Sequence, residues 1–110
     1  MKQVITFTVA VLIAAVASLQ AADVKENWEK HCLKCHGADG KGETKMGKKM
    51  EVKDYTDAKI QAEMKEDKMF KNIKEGNKDK DGKTRMKPFA EVLNDDEIKA
   101  LIAYVRAFKK

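Results

Sequence analysis

The sequence has only two cysteines among its 110 residues, and they lie three positions apart, at Cys32 and Cys35. A disulfide between them would close so short a loop that it would contribute little to stability. No cysteine lies near the apolar N-terminal segment, so we expect no lipid anchor there. The two thiols therefore need another explanation.

A second absence is alternation: no segment alternates apolar and polar residues with a period of two over the length of a strand. Helical periodicity is strong near the C-terminus, where Asn94 and Glu97 have the spacing of a capping box. The helix that follows is predicted to have one continuous apolar face, formed by Ile98, Leu101, Ile102, Val105 and Phe108. We therefore expect an all-α domain.

The middle of the chain is more polar. Residues 57–64 and 66–75 are predicted to form two helices, the second of which ends at Gly76. Residues 44–56 are rich in lysine and are predicted to form a wrapping loop with a short helical turn.

The segment 77–88 matches the start of a calcium loop at Asn77, Asp79 and Asp81. The twelfth position of such a loop needs a glutamate that binds calcium through both oxygens, and Pro88 stands there instead. Lysines also lie among the would-be ligands. We therefore expect a solvated turn.

Charge is missing from residues 3–22, which follow a single basic residue, Lys2. The apolar run at 4–16 and the small residues that follow it predict a secretory signal peptide over residues 1–21 and a domain over 22–110. The protein is then exported, to the periplasm in a bacterium. The alternative is an uncleaved membrane anchor, for which the apolar run is short.

Removal of residues 1–21 from the 110 leaves 89 residues and takes away only the charge of Lys2, so the net charge falls from +5 to +4. A domain of this size buries only about 60–65% of its unfolded surface and is marginally stable unless something adds to its core. A bound apolar cofactor would supply that bulk.

The residues Cys32-Leu33-Lys34-Cys35-His36 form the pattern CxxCH, which attaches a c-type haem. Two thiols on one helical turn can each add to a vinyl group of one porphyrin, and the histidine that follows reaches the iron through an imidazole nitrogen. We therefore predict haem thioethers at Cys32 and Cys35 and an axial iron ligand at His36.

Taken together, these features resemble the class I c-type cytochromes over essentially the whole of residues 22–110. The resemblance is carried by Cys35-His36-Gly37, by Met86 with Pro88-Phe89 close behind, and by residues 95–105. It implies the cytochrome c fold, in which the N- and C-terminal helices cross over one haem. Trp28 would then contact Leu101 and Tyr104. The spacing of Val24, Trp28 and the two cysteines places them on one face of a helix, which agrees with this contact.

The resemblance also implies a sixth iron ligand, a methionine from the loop before the last helix, and Met86 occupies that position. The other methionines of the domain, Met46, Met50, Met64 and Met69, lie on other segments. Two features depart from the family. Lys87 follows the methionine in place of the usual proline, and the region just after Gly42 has no proline whose carbonyl could orient His36.

The implied function is one-electron transfer between larger redox proteins, such as membrane oxidoreductases and terminal reductases or oxidases, by a monomer that is not an enzyme. Basic residues flanking the expected haem edge would meet an acidic surface on the partner, or would serve only to keep the protein in solution: Lys34, Lys41, Lys83, Arg85 and Lys87. Nucleic acid is not an expected partner, since acidic residues are interspersed with these lysines and export removes the protein from it.

Other hypotheses for these residues are set against this function. A gas-binding or peroxidatic haem protein needs an open sixth position. A thiol oxidoreductase would use Cys32 as its nucleophile, but CxxC would then follow a strand. A nucleotide site at the glycines of residues 37–42 would need a preceding strand and a lysine-serine ending. His31 could be a spare ligand, but we expect it to face solvent.

Overall fold

The structure is a computed structural model that describes residues 23–110. The first helix, α1, covers residues 23–31 of the described chain. It is followed by α2 (Leu33–His36), α3 (Lys45–Met50), α4 (Ala58–Glu63), α5 (Glu66–Glu75), the strands β1 (Asn77–Lys78) and β2 (Thr84–Met86), and α6 (Asp95–Arg106). The predicted all-α fold is confirmed, and the two helices expected in residues 57–75 are both present. None of the helices in residues 23–110 is long and apolar enough to cross a membrane. The predicted signal peptide at residues 1–21 lies outside the described residues.

One local feature was not predicted: β1 and β2 pair as a short antiparallel hairpin, with Asn77 opposite Met86 and Lys78 opposite Thr84. Strands of two and three residues are too short to show period-two alternation, which is why the sequence did not indicate them. The turn between them is closed by Asp79, whose side chain accepts hydrogen bonds from the backbone N–H groups of Asp81 and Lys83, both at 2.9 Å. Asp79 thus acts as a turn residue.

The core is built mainly on α6. The expected apolar face is present, and Ile98, Leu101, Ile102 and Val105 are all buried. The remaining buried apolar residues come from α1, from its C-terminal turn and from the segment before α6: Trp28, Cys32, Phe89 and Leu93. One hydrophobic cluster therefore joins the two ends of the described chain.

The start of α6 is fixed by the predicted capping box. The Asn94 side chain accepts from the Glu97 N–H at 2.8 Å, and the Glu97 carboxylate accepts from the Asn94 N–H at 2.9 Å. The bond from the Asn94 backbone and a second from the Asn27 side chain, at 3.2 Å, lower the pKa of Glu97. Because Asn27 lies on α1, the same carboxylate also ties the first helix to the last.

Trp28 is the main contact between α1 and α6. Its side chain is only 2% exposed, and its ring centroid lies 5.3 Å from that of Tyr104 and 5.2 Å from that of Phe108. The Phe108 ring also lies against the backbone of Gly40, where a Cβ would come within 2.6 Å of it. The predicted meeting of Trp28 with the last helix is therefore observed.

We predict that Trp28→Ala lowers the free energy of unfolding by about 3–5 kcal/mol, because it empties a site enclosed by aromatic rings from two helices. Guanidinium unfolding followed by circular dichroism would measure the change. Val92→Ala is the control, since Val92 is 58% exposed and should cost less than about 0.5 kcal/mol. A loss of that small size at Trp28 would contradict the proposed contact between the helices.

Candidate functional site

The CxxCH residues form a single turn at the end of α1. The N–H of His36 donates to the Cys32 carbonyl at 2.9 Å, and the N–H of Gly37 donates to the Leu33 carbonyl at 2.8 Å. Both cysteines are free of a disulfide, with Cys32 buried and Cys35 partly exposed. The turn therefore brings two unbridged thiols and one imidazole together, as the sequence predicted.

The loop after the turn holds it through backbone carbonyls. The N–H of Gly42 donates to the His36 carbonyl at 2.9 Å, and the Thr44 hydroxyl donates to the Cys35 carbonyl at 2.8 Å. The same hydroxyl accepts from the Gly47 N–H at 2.9 Å and so caps α3. Thr44 thus fixes the start of α3 directly against the attachment turn.

Gly47 makes this contact possible. It lies buried within α3, and a Cβ at this position would overlap the carbonyl oxygen of Cys35 and come within 2.5 Å of that of Gly42. Glycine is needed here because two backbones meet, and no left-handed dihedral angle is involved. The predicted wrapping loop therefore contains a helix that packs on the site.

The imidazole of His36 is buried between two aromatic rings. Its centroid lies 5.1 Å from that of Tyr55, with the rings nearly parallel at 22°, and 5.7 Å from that of Trp28. Desolvation lowers the pKa of His36 to about 4, so the ring is neutral at pH 7. Its buried Nδ1 has no hydrogen-bond partner among residues 23–110. Neutral imidazole is the form that binds a metal ion.

Trp28 holds the turn from the other side. Its indole N–H donates to the carbonyl of Gly37 at 3.0 Å, which satisfies a buried polar group that would otherwise be costly. The glycine itself has a φ of 79°, which lets the chain leave the helix directly after His36.

The environment of Cys32 argues against thiol chemistry. Burial, and then the neighbouring Cys35, raise the pKa of the Cys32 thiol to about 12. A nucleophilic cysteine needs a lowered pKa, because the thiolate is the reactive form. No strand precedes the CxxC residues in the described chain either, since both strands follow α5. The oxidoreductase alternative therefore has no support in this site.

Met86 is held by its backbone on both sides. Its own strand pairs with β1, and Gly76 approaches so closely that a Cβ there would lie 2.8 Å from the Met86 carbonyl oxygen. After Met86, the N–H groups of Phe89 and Ala90 donate to the carbonyls of Ile73 and Lys74 in α5, at 3.0 and 3.1 Å. The methionine-bearing segment is thus attached to the end of α5.

The side chain of Met86 is partly buried against the core cluster that includes Cys32. Met64 and Met69 pack against the same cluster, whereas Met46 and Met50 lie on α3. Burial alone therefore does not separate Met86 from Met64 and Met69. What distinguishes Met86 is its place in a constrained hairpin before α6.

His31 was expected to face solvent, and this prediction is wrong in part. The ring is half-buried, and its edge contacts Phe89 at a centroid distance of 5.4 Å. The cause is the return of the chain after Met86, which brings Phe89 over the end of α1. The two segments enclose a groove of about 380 Å³ lined by His31 and residues 87–92.

The calcium alternative also finds no support. Asp79 is engaged in closing the hairpin turn, as described above. In residues 23–110, no group of three or more histidine, cysteine, aspartate or glutamate side chains is arranged to hold a metal ion. The predicted solvated turn is therefore observed, and it connects the two strands of the hairpin.

The residues fit a haem on three counts. The two thiols are unbridged and lie on one turn, and the adjacent imidazole is neutral. A thioether is available on a second, separately anchored segment. Nitrogen and soft sulfur donors suit haem iron.

Four residues that shape the site were not predicted from the sequence: Thr44, Gly47, Tyr55 and Gln61. The spacing of Thr44 and Gly47 is that of a helix N-cap and its third residue, which is a usable signal. Tyr55 and Gln61 act through contacts distant in sequence, and no local pattern indicates them.

Comparisons with known proteins bear on the family and the fold. The family model for cytochrome c oxidase, cbb3-type, subunit III matches residues 19–105. Among solved structures, the KustC0563 c-type cytochrome is 35% identical with a TM-score of 0.68, and the match covers 78% of this chain and 96% of that one. A tyrosine-to-phenylalanine mutant of Kustc0563 is 34% identical with a TM-score of 0.67, and covers 79% and 99% of the two chains. No curated protein matches the chain.

We predict that Gly47→Ala destabilises the protein by about 1–3 kcal/mol through overpacking against the attachment turn. Helix propensity alone predicts the opposite sign, a gain of about 0.5–1 kcal/mol for alanine inside a helix. Guanidinium unfolding decides between the two effects. Lys48→Ala, at an exposed position of the same helix, is the control and should change little. A stabilised Gly47→Ala protein would refute the close packing of α3 on Cys35.

Proposed function

Because the chain belongs to the family of c-type cytochrome domains, which bind haem c covalently and transfer electrons, we propose that it is a one-electron carrier with a single haem. The proposal rests above all on one observation: two unbridged thiols and a buried neutral histidine share the turn from Cys32 to His36. Cys32 and Cys35 would form the thioethers. His36 and Met86 would bind the iron.

When bound, the haem supplies an iron centre that changes valence by one electron. His36 contributes a neutral nitrogen donor, kept neutral by burial. Met86 contributes a soft thioether sulfur that favours Fe(II), so the potential is expected to lie above that of a bis-histidine site. With His36 and Met86 both bound to the iron, no position would be left for a substrate. The protein is then a carrier and not an enzyme.

The surrounding residues would keep water from this centre. Trp28 and Tyr55 cover the imidazole of His36, and the core cluster lies against Met86. A low-dielectric, dry environment limits the rearrangement that a change of charge on the iron would otherwise cause. Electron transfer by this arrangement would need no conformational change.

Electron exchange would take place with larger redox proteins, membrane oxidoreductases and terminal reductases or oxidases among them, outside the cytoplasmic membrane. Of the basic residues assigned to docking, Lys34, Lys83 and Lys87 are exposed. Arg85 is exposed as well and pairs with the Glu51 carboxylate at 3.2 Å, an ion pair that contributes little at the surface. An acidic patch on the partner would contact these basic residues. A monomer would be sufficient for electron transfer.

Covalent attachment is the first test. We predict that acid-acetone leaves the haem on the protein and that the denatured mass exceeds that of the mature apoprotein by one porphyrin. Cys32→Ser and Cys35→Ser should each lower the yield of haem-loaded protein sharply, because the small core depends on its cofactor to fold. Lys34→Ser, between the two cysteines, is the matched control. Haem that extracts fully would end this proposal.

The second test concerns Met86. The unmodified ferric protein should show the weak band at the red end of the visible spectrum that methionine ligation gives, and the ferrous protein should bind carbon monoxide poorly. Met86→Ala should lose the band, lower the potential and admit carbon monoxide.

Met69→Ala is the control for the Met86 variant, because Met69 packs against the same core cluster. It should cost only packing, about 1–2 kcal/mol for a half-buried methionine. Ready carbon monoxide binding by the unmodified protein would instead favour the gas-binding alternative.

The third test concerns docking. We predict that electron-transfer rates with a physiological partner fall as ionic strength rises, since exposed charges steer the encounter. Lys87→Gln should lower the rate at low salt severalfold and flatten the salt dependence. Lys59→Gln, an exposed lysine outside the assigned set, should leave both unchanged. Rates that do not depend on salt would remove this role from the basic residues.

A further inference from the structure

The buried Nδ1 of His36 has no hydrogen-bond partner in residues 23–110. A histidine that binds a metal through one ring nitrogen usually donates its other N–H to an acceptor, which fixes the orientation of the ring. Here the ring is flanked by Trp28 and Tyr55. Within the described residues, the ring contacts of His36 are therefore with aromatic side chains.

Tyr55 is the more nearly parallel of the two rings, and its backbone is held at both ends. Its N–H donates to the carbonyl of Gly40 at 2.8 Å. Its carbonyl accepts from the Gln61 side chain at 2.7 Å. The first bond joins Tyr55 to the glycine loop after the attachment turn, and the second joins it to α4. Gln61 therefore makes one of the two bonds that hold the Tyr55 backbone.

Gln61 is a buried amide, 4% exposed, and all of its groups are paired. Its Nε2 donates both to Tyr55 and to the carbonyl of Val105 at 2.8 Å. Its Oε1 accepts from the Arg106 guanidinium at 3.1 Å. Arginine can only donate, so the amide oxygen must face Arg106 and the NH₂ must face the two carbonyls.

Arg106 is itself fixed by the end of α4. Its guanidinium donates to the carbonyls of Gln61 and Met64, both at 2.6 Å, and lies 3.8 Å from the Glu66 carboxylate. The last turn of α6 thereby sets the orientation of the Gln61 amide. A chain of contacts runs from Arg106 through Gln61 and Tyr55 to His36.

We propose that Gln61 is a positioning residue for His36 that acts through Tyr55. The inference rests on the proposed function of His36 as an iron ligand. Gln61 keeps Tyr55 seated on the imidazole, so that the ring stays oriented and its Nδ1 stays dry. Without this bond, water reaches Nδ1 and accepts its proton in a hydrogen bond. A histidine with such a partner is a more basic ligand and favours Fe(III), so the potential falls.

The test is Gln61→Met, which keeps the size of the side chain and removes both donated bonds. We expect the equilibrium constant for reduction to fall at least threefold, about 28 mV at 59 mV per tenfold for one electron. The hydrogen-exchange rate of the Tyr55 N–H should rise at least tenfold, a readout that does not depend on the iron. Ile98→Val is the matched control: it removes a methyl group from a fully buried site on α6 and should leave the potential unchanged.

A second pair of variants tests whether the effect passes through Tyr55. In a Tyr55→Phe background the stacked ring is kept, and Gln61→Met should lower the potential as before. In a Tyr55→Leu background the ring is gone, and Gln61→Met should add no further change. If Tyr55→Leu does not fold, Gln61→Glu serves in its place, since it keeps the contact with Arg106 but cannot donate to Tyr55 and should also speed exchange of the Tyr55 N–H.

The outcomes separate the two claims. A haem-loaded Gln61→Met protein with an unchanged potential, or with a fall that Ile98→Val reproduces, would overturn this inference and leave the proposed function intact. An equal fall in the Tyr55→Leu background would overturn it too. A wild-type protein that carries no covalent haem would overturn the proposed function and this inference with it.

Discussion

The rest of the structure depends on how the short turn from Cys32 to Gly37 is held in place, since no disulfide fixes it. Its carbonyl oxygens provide the means. Those of Cys35 and His36 accept from the following loop, and that of Gly37 accepts from Trp28. Buried carbonyls need partners, so each bond both satisfies the backbone and fixes the turn. The helices α1, α3 and α6 are placed by these contacts or by Trp28.

A second segment is built on the same principle. Met86 lies where a hairpin, a glycine C-cap and the last carbonyls of α5 meet, and each of these restrains the backbone and not the side chain. A thioether has no hydrogen-bond partner to orient it. Restraint of the neighbouring backbone is therefore the way to place it reproducibly, and the hairpin is the element that does so.

The sequence predicted the elements that depend on local signals. The capping box at Asn94 and Glu97, the apolar face of α6 and the CxxCH turn all have fixed short spacings, and each was found in the structure. The hairpin was missed because its strands are too short to show a period. Gln61 was missed because its partners Tyr55 and Val105 lie 6 and 44 residues away, and nothing in a polar residue on a short helix indicates that it is buried. His31 was placed partly wrongly for the same reason, since its contact with Phe89 is distant in sequence.

The bonds that hold the attachment turn have a consequence for the order of folding. They join residues 28–44 and span six to nine positions each, whereas the bond between Asn27 and Glu97 spans 70. Closing a short loop costs less entropy than closing a long one, and contacts between near neighbours form sooner. The turn with its two thiols can thus assemble from the N-terminal half of the domain alone. The last helix would then close over a site that already has its shape.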